Sequence, residues 1–256
     1  MRRPNLISAF LTLVLLTGCA KVYHVASEDV SSYRINKKTS DVGDNSKIEQ
    51  MIQPYRAELA SEMSEVISLA AEPFSKGDRD DPESTLGNWV ADAILAQAKL
   101  ITRKPLDFGI CNSGGIRVNG LPAGPLTRGH FYELMPFDNY LVTMRLPGEV
   151  IRQLFDRMAA SGGWPISAGV SYKIKGGKAQ QVMIQGAPLD LARTYEIALS
   201  DYLAEGGGAL DFLKEYDYEN LQIYYRDAMI EQALMMKGIG KSLDARLEGR
   251  VENLDQ

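Results

Sequence analysis

The sequence is poor in histidine, in cysteine and in positive charge. Its 256 residues include two histidines and two cysteines, and the formal net charge is −5. Nucleic-acid binding requires a basic face, so the acidic balance predicts no nucleic-acid partner. One cysteine, Cys19, lies in a candidate lipidation motif, which leaves Cys111 without a partner for an internal disulfide. We interpret Cys111 as a small apolar residue at the end of a buried strand.

The chain also lacks an apolar run that could cross a membrane as a helix, for which about 20 residues are needed. The run near the N-terminus, from Leu6 to Leu16, has about ten residues and follows Arg2 and Arg3. It ends in the sequence LTGC, whose small residues before Cys19 are typical of a bacterial lipobox. We predict a lipoprotein signal peptide over residues 1–18 and acylation of Cys19. The alternative is an ordinary secretory peptide with a chance cysteine.

The predicted location follows from the residues around the lipobox. Removal of residues 1–18 takes away two positive charges and no negative ones, so the net charge changes from −5 to −7. Residues 19–46 are polar and predict a flexible tether. Ala20 follows the cysteine where an inner-membrane protein would have Asp, by the usual Gram-negative rule. We therefore expect a lipid-anchored protein of the outer membrane, facing the periplasm, with the membrane as partner through Cys19.

Residues 47–256 mix short strand patterns with amphipathic helices and lack a strict βαβ repeat, which predicts α+β: a single domain with a mixed β-sheet packed by helices. Apolar residues recur at helical spacing from Ile48 to Ile67, and Pro54 marks a start or a kink. A second helix, capped by Glu83 or Ser84, runs to about Ile101. Further predicted elements are a short helix ending at Pro136, a strand over 139–146, a helix over 149–160, hairpin strands over 169–174 and 181–184, a strand over 194–200, an edge strand over 221–225, a helix over 227–237 and a last strand over 247–251.

A glycine-rich segment, CNSGGIRVNG at residues 111–120, follows a predicted strand. The adjacent Gly114 and Gly115 let backbone N–H groups point one way and let a ligand approach closely. Arg117, two residues later, can bind a carboxylate or phosphate through two hydrogen bonds. Taken alone, the pattern is more typical of a tight turn with a surface arginine.

Three further blocks accompany this segment in a fixed order. The four blocks are ESTLGNWVADAI at residues 83–94, NSGGIR at 112–117, LPAGPLTRGHFYELMPFDNYLVTMRLPGEVI at 121–151 and DYLAEGGGALDFL at 201–213. Together they resemble the C-terminal, substrate-binding domain of the 5′-nucleotidase family, which includes UDP-sugar hydrolases and 2′,3′-cyclic phosphodiesterases. The resemblance covers roughly residues 48–251, and it implies the fold of that domain for residues 47–256.

The resemblance also implies a substrate-binding site. Phe137 and Tyr202 match two aromatic residues that sandwich the nucleoside base, and such stacking contributes roughly 1–3 kcal/mol per base. Arg117 matches an arginine that contacts the nucleotide, and Asn112 matches the polar residue that opens its block. The implied substrate-binding set is Asn112, Gly114, Gly115, Arg117, Phe137, Asn139 and Tyr202.

Two departures from the family pattern limit what the resemblance implies. Gly208 stands where the family has an aspartate that holds the ribose hydroxyls, and Glu205 and Asp211 are both out of register with it. Hydrolysis in the family takes place in an N-terminal metallophosphatase domain with two metal ions and several histidines. This chain has His24 in the tether and His130 in a short helix, where a structural or capping role is expected rather than a metal ligand. We predict no catalytic residue, no metal site, no cofactor and no hydrolysis by this chain alone.

Three functions stay open on this evidence. The first is a lipid-anchored module that binds a nucleoside, a nucleotide or a related solute. The second is the substrate-binding half of a split 5′-nucleotidase, with a separate metallophosphatase subunit as partner. The third is a structural envelope lipoprotein whose binding site has decayed. Gly208 favours this third function or a changed ligand, whereas the first two functions are favoured by Phe137, Tyr202, Asn112 and Arg117.

Overall fold

The structure is a computed structural model that describes residues 46–78 and 80–255. The predicted signal peptide, Cys19, His24 and the tether up to residue 45 lie outside these residues. Among the helices of the described part, none is both long enough and apolar enough to span a membrane. The residues from Ile52 onwards form one compact unit, and helix α1 begins a few residues before it.

Helices and strands alternate irregularly along the chain. The helices are α1 Ser46–Met63, α2 Thr85–Thr102, α3 Arg128–Leu134, α4 Gly148–Ala160, α5 Asp201–Ala204 and α6 Tyr225–Gly238. The strands are β1 Val66–Ala70, β2 Phe74–Ser75, β3 Phe108–Gly109, β4 Gly120–Leu121, β5 Gly124–Thr127, β6 Tyr140–Pro147, β7 Val170–Lys175, β8 Lys178–Ile184, β9 Ala187–Pro188, β10 Thr194–Ser200, β11 Tyr218–Tyr224 and β12 Val251–Asn253. Short 3₁₀ turns cover Ser113–Gly115 and Asp211–Glu215.

The central sheet has the strand order β11-β6-β10-β3. Strand β6 pairs antiparallel with β10 and β11, and β3 pairs parallel with β10, so the sheet is mixed. Side chains alternate between its two faces, as the period of a strand requires. Val142, Met144 and Leu146 enter one apolar core, whereas Leu141 enters the other.

A core lies on each face of this sheet. On one face, α4 lies between the central sheet and a second mixed sheet of order β12-β7-β8-β9, where Phe155 and Tyr172 meet edge to face. On the other face, α2 and α6 cover the sheet and bury Trp89 and Met229. The prediction of an α+β fold with helices packed on mixed strands is confirmed, although the strands divide into two mixed four-stranded sheets and two short pairs.

Ser84 caps the N-terminus of helix α2, so of the two predicted caps it is Ser84 and not Glu83. The Ser84 hydroxyl accepts a hydrogen bond from the Gly87 backbone N–H at 3.0 Å. The Glu83 carboxylate instead accepts hydrogen bonds from the backbone N–H groups of Glu248 and Arg250, at 2.8 and 3.0 Å. Glu83 therefore connects the start of α2 to the C-terminal segment.

Two predicted elements are wrong in their extent. Helix α1 contains Pro54 but ends at Met63, and Val66–Ala70 forms strand β1, which pairs antiparallel with β5. Val66 and Ile67 continue the helical spacing of the apolar residues in α1 only by chance. A short strand with a bulge, such as β1, can place its apolar residues at a similar spacing. The last strand was predicted over residues 247–251 but covers Val251–Asn253, where it pairs parallel with β7.

Candidate functional site

All seven residues of the predicted substrate-binding set line one cavity of about 380 Å³. The structure brings together Asn112, Gly114, Gly115, Arg117, Phe137, Asn139 and Tyr202. Cavities of about 640 and 410 Å³ lie elsewhere on the molecule, and of the seven residues only Gly114 borders either of them. The cavity of about 380 Å³ is the candidate site, because aromatic rings, free amides and a guanidinium converge there.

The cavity lies at one end of the central sheet. Cys111 closely follows strand β3, Asn139 precedes β6, Ser200 ends β10 and Tyr225 follows β11. In the sheet, Ser200 pairs with Leu141, and Tyr224 pairs with Tyr140, so these chain positions lie at the same edge. The site is therefore assembled from four strand ends that are up to 114 residues apart in the sequence, from 111 to 225.

The glycine-rich segment forms a 3₁₀ turn over residues 113–115. The Gly115 N–H donates a hydrogen bond to the Asn112 carbonyl oxygen at 2.9 Å. A Cβ at Gly115 would lie 3.2 Å from Asn112 Oδ1 and 3.3 Å from Met135 Cε, closer than ordinary contact. Glycine at position 115 therefore leaves room for the Asn112 amide and the Met135 side chain at the cavity wall.

Arg117 carries the charge of the site. Its guanidinium is exposed, its Nη1 donates to the Gly114 carbonyl oxygen at 3.3 Å, and its Cζ lies 5.8 Å from the centroid of the Phe137 ring. Among the described residues no carboxylate forms an ion pair with Arg117, and it is the one charged residue of the cavity lining. The guanidinium can therefore accept an anionic group of a ligand.

The two aromatic residues of the cavity, Phe137 and Tyr202, are both exposed. Phe137 is 39% exposed and Tyr202 is 47% exposed. The Tyr202 hydroxyl accepts a hydrogen bond from the Gly208 N–H at 3.3 Å, and a Cβ at Gly207 would lie 2.5 Å from Tyr202 Cε1. The Tyr202 ring thus rests directly on a glycine loop that leaves no space for a side chain beneath it.

The same loop explains why an aspartate at position 208 is disfavoured. Gly208 has a φ of +68°, and a Cβ there would lie 2.8 Å from Trp164 Cη2. The two carboxylates that could have replaced it are occupied elsewhere. Glu205 accepts a hydrogen bond from the Tyr218 hydroxyl at 2.8 Å, and Asp211 forms an ion pair with Lys214 at 2.6 Å. Neither carboxylate lines the cavity.

Two free amides face the cavity. Asn112 and Asn139 have no side-chain hydrogen bond to any other described residue, and both line the cavity. The Asn139 backbone is fixed, because its carbonyl oxygen accepts a hydrogen bond from the Tyr225 N–H at 2.7 Å. Each amide offers a donor beside an acceptor, which is the pairing that the edge of a nucleobase presents.

The floor of the cavity includes residues that the sequence pattern did not identify as site residues. Cys111 is buried, and burial raises the pKa of its thiol to about 12, so the thiol keeps its proton at neutral pH. Its interpretation as a buried residue is confirmed. Met135, Ser200 and Tyr225 were missed, although Ser200 and Tyr225 stand directly at the ends of predicted strands. The Tyr225 hydroxyl donates to the Ile110 carbonyl oxygen at 2.9 Å.

The described histidine, His130, has a capping role as predicted. Its Nδ1 accepts a hydrogen bond from the Thr127 N–H at 2.9 Å, which completes a capping box at the start of α3. Within residues 46–78 and 80–255, no group of three or more His, Cys, Asp or Glu side chains is arranged to hold a metal ion.

Comparison with known proteins places this geometry in context. The family model for the 5′-nucleotidase C-terminal domain matches residues 64–215, more than half of the chain. Protein UshA of Salmonella pullorum is 29% identical over 173 residues, which are 66% of this chain and 30% of the relative. Endonuclease YhcR of Bacillus subtilis is 29% identical over 199 residues, which are 71% of this chain and 15% of the relative.

A solved structure shares the fold. The 5′-nucleotidase precursor of Thermus thermophilus superposes with a TM-score of 0.69 at 25% identity, over 83% of this chain and 44% of that chain. In each of these three comparisons this chain spans less than half the length of the relative.

Proposed function

The chain belongs to the family of 5′-nucleotidase C-terminal domains, and on that premise we propose that it binds a nucleoside, a nucleotide or a related solute in the cavity between Phe137 and Tyr202. The observation that carries the proposal is the convergence of two exposed aromatic rings, two free amides and one guanidinium on a cavity of about 380 Å³. Exposed rings at a cavity mouth are expected to gain stacking energy from a planar ligand.

The chemistry of the lining favours a planar ligand that is neutral or anionic. Arg117 supplies the charge, and no carboxylate of the described residues lines the cavity. A cis-diol of ribose therefore lacks the anionic acceptor that would recognise it, since Gly208 takes the place of the family aspartate and Glu205 and Asp211 are engaged elsewhere. We expect weak discrimination between a free base and its nucleoside.

The experiment is isothermal titration calorimetry with the full chain against adenosine, AMP and UDP-glucose. We expect dissociation constants between about 1 μM and 1 mM, which correspond to about −8 to −4 kcal/mol. Thermal unfolding with each ligand at millimolar concentration gives a second readout. If none of the three produces heat or raises the melting temperature, the binding function is wrong and the decayed structural lipoprotein takes its place.

A second candidate is the substrate-binding half of a split 5′-nucleotidase. The observation that favours it is the match to part of a 5′-nucleotidase, since this chain spans 44% of the Thermus thermophilus 5′-nucleotidase precursor. A separate metallophosphatase subunit would supply the metal site. The test is phosphate release from AMP with added Mn²⁺ or Zn²⁺. We expect none above background from the full chain alone, and turnover that His130→Ala abolishes would contradict this.

A further inference from the structure

We propose that Arg226 is a positioning residue that holds the Phe137 ring at the mouth of the cavity. Arg226 does not line the cavity, so it acts through the segment that carries Phe137. The effect on ligand binding rests on the proposed function, whereas the effect on the Phe137 ring can be measured without a ligand.

The contacts of Arg226 converge on residues 135–138. Its Nη1 lies 3.5 Å from the carbonyl oxygens of both Met135 and Phe137, and its Nη2 donates to Asp138 Oδ1 at 3.1 Å. The planar guanidinium therefore spans the Phe137 backbone from one side to the other. A lysine offers its three donors from a single nitrogen on a flexible stem, so it cannot reproduce the two separated, rigidly held nitrogens of the guanidinium.

A second contact ties the same segment to helix α3. The guanidinium carbon of Arg226 lies 4.0 Å from the centroid of the Tyr132 ring, in a cation–π contact. The preceding residue, Tyr225, donates its N–H to the carbonyl oxygen of Asn139 at 2.7 Å. The first two residues of α6 thus bracket the segment from Phe137 to Asn139 and leave the Phe137 ring free to face the cavity.

The burial of Arg226 shows that this arrangement is not a surface contact. Arg226 is 6% exposed, and its Nε has no hydrogen-bond partner among the described residues, although Asp227 Oδ1 lies 3.6 Å away. Burying a guanidinium is costly unless it is paired and hydrogen-bonded. The buried guanidinium lies directly behind residues 135–138, which carry the Phe137 ring. A rigid segment at this place reduces the entropy that is lost when a ligand binds.

A second buried arginine provides the matched control. Arg250 is 4% exposed, donates to both Asp92 carboxylate oxygens at 2.9 and 2.8 Å, and donates to the Ile166 carbonyl oxygen at 2.8 Å. It does not line the cavity, and none of these partners belongs to residues 135–138. Substitution of either arginine removes a buried guanidinium together with its ion pair, so both variants should lose stability, but only the Arg226 variant should also affect Phe137.

The first experiment needs no ligand. The full chain is labelled with 4-fluorophenylalanine, and the ¹⁹F resonance of residue 137 is assigned by its loss in Phe137→Leu. We expect Arg226→Met to shift this resonance toward that of a free, solvated ring and to broaden it. Arg226→Lys should produce an intermediate change, and Arg250→Met none. An unchanged resonance in folded Arg226→Met would overturn the proposal.

The second experiment is a double-mutant cycle of adenosine binding measured by calorimetry below the melting temperature of each variant. We expect Arg226→Met to weaken binding about tenfold in the wild-type background and by less than about twofold in Phe137→Ala, because the ring through which it acts is then missing. Arg250→Met should leave binding unchanged. An equal loss in both backgrounds would mean that Arg226 acts only through general stability.

The outcomes separate this proposal from the proposed function. If wild-type protein binds no adenosine but the ¹⁹F resonance responds to Arg226→Met, the binding function fails and the positioning role stands. If Arg226→Met does not fold, Asp138→Asn removes one partner of the Arg226 guanidinium, with Asp92→Asn, which removes the partner of Arg250, as its control. A shift of the Phe137 resonance in Asp138→Asn and not in Asp92→Asn supports the proposal, and the absence of that difference overturns it.

Discussion

At the scale of single residues, the candidate site separates stacking from charge. Phe137 and Tyr202 offer rings, whereas Arg117 offers the one charge of the lining. We expect Phe137→Ala to weaken binding of adenosine about 5- to 150-fold, the equivalent of about 1–3 kcal/mol of stacking. Arg117→Ala should matter less for adenosine and more for AMP. Calorimetry with both ligands measures the difference.

The control for the stacking variant is Tyr55→Ala, because Tyr55 is 71% exposed on α1 and does not line the cavity. It should leave both affinities unchanged. A larger loss for adenosine with Arg117→Ala than with Phe137→Ala would contradict the assignment of stacking to Phe137.

Gly208 is required by its conformation and by its neighbour. Its φ is +68°, and Trp164 lies where a Cβ would be placed, so any side chain adds both backbone strain and a steric clash. We expect Gly208→Ala to destabilise the fold by about 2–4 kcal/mol in urea unfolding. Gly162→Ala is the control, because Gly162 has a φ of +83° with no atom near its Cβ position, and it should cost about 1–2 kcal/mol.

The same position tests the interpretation of sugar recognition. Gly208→Asp should not create a preference for adenosine over adenine, because the backbone and Trp164 prevent the carboxylate from reaching the position of the family aspartate. A folded Gly208→Asp variant that binds adenosine much more tightly than adenine would show that the loop adjusts and that the interpretation is wrong.

At the scale of elements, helix α2 depends on a single cap at the start of its buried length. The Ser84 hydroxyl accepts the Gly87 N–H, which would otherwise lack a partner in the first turn. We expect Ser84→Ala to lower the free energy of unfolding by about 0.5–2 kcal/mol. Ser61→Ala, on the exposed face of α1, should change it by less than about 0.5 kcal/mol. Equal effects in urea unfolding would show that the cap is energetically irrelevant.

At the scale of the whole molecule, buried acidic groups predict a loss of stability at high pH. Burial raises the pKa of Cys111 from 9.0 to about 12, and it also raises the pKa of Tyr172 and Tyr225 above their ordinary value. Between pH 9 and 12 the unfolded chain releases protons that the native chain retains, so the free energy of unfolding falls as pH rises. Each such group contributes a slope of about 1.4 kcal/mol per pH unit.

Urea unfolding at a series of pH values from 8 to 11 measures this slope. Cys111→Ala removes one of the groups and should make the pH dependence less steep by the contribution of one proton. A free energy of unfolding that stays constant over this range would contradict the burial of these groups in the native state.

The predicted lipid anchor also belongs to the whole molecule, although Cys19 lies outside the described residues. We expect Cys19→Ser to accumulate as unprocessed protein without incorporation of labelled fatty acid, because cleavage and acylation both require the cysteine thiol. Fractionation of the unaltered protein should place it in the outer membrane. Membrane retention of Cys19→Ser with no lipid label, or recovery of the unaltered protein in the inner membrane, would contradict the prediction.

The sequence by itself determined the local elements wherever the spacing of apolar residues agreed with the turn or capping residues at their ends. Helix α4, strand β10 and the hairpin at Gly176 and Gly177 lie where they were predicted, because an amphipathic period and a glycine turn depend on neighbouring residues alone. The resemblance of four motifs to a known family also identified seven of the residues that line the cavity. Strand β1 was missed, because a five-residue strand beside a helix shares the spacing of its apolar residues with the helix.

Only the tertiary structure showed which other chain positions meet at or behind the cavity. Met135, Ser200, Tyr225 and Arg226 carry no local signal of a site, since their role depends on four strand ends that meet at one edge of the central sheet. The sequence shows a glycine at position 208 where the family pattern has an aspartate, but the contact with Trp164, 44 positions earlier from 208 to 164, supplies a reason for the glycine. Contacts between residues so far apart in the sequence depend on how strands pair and helices pack. The spacing of residue types along the chain does not show that arrangement.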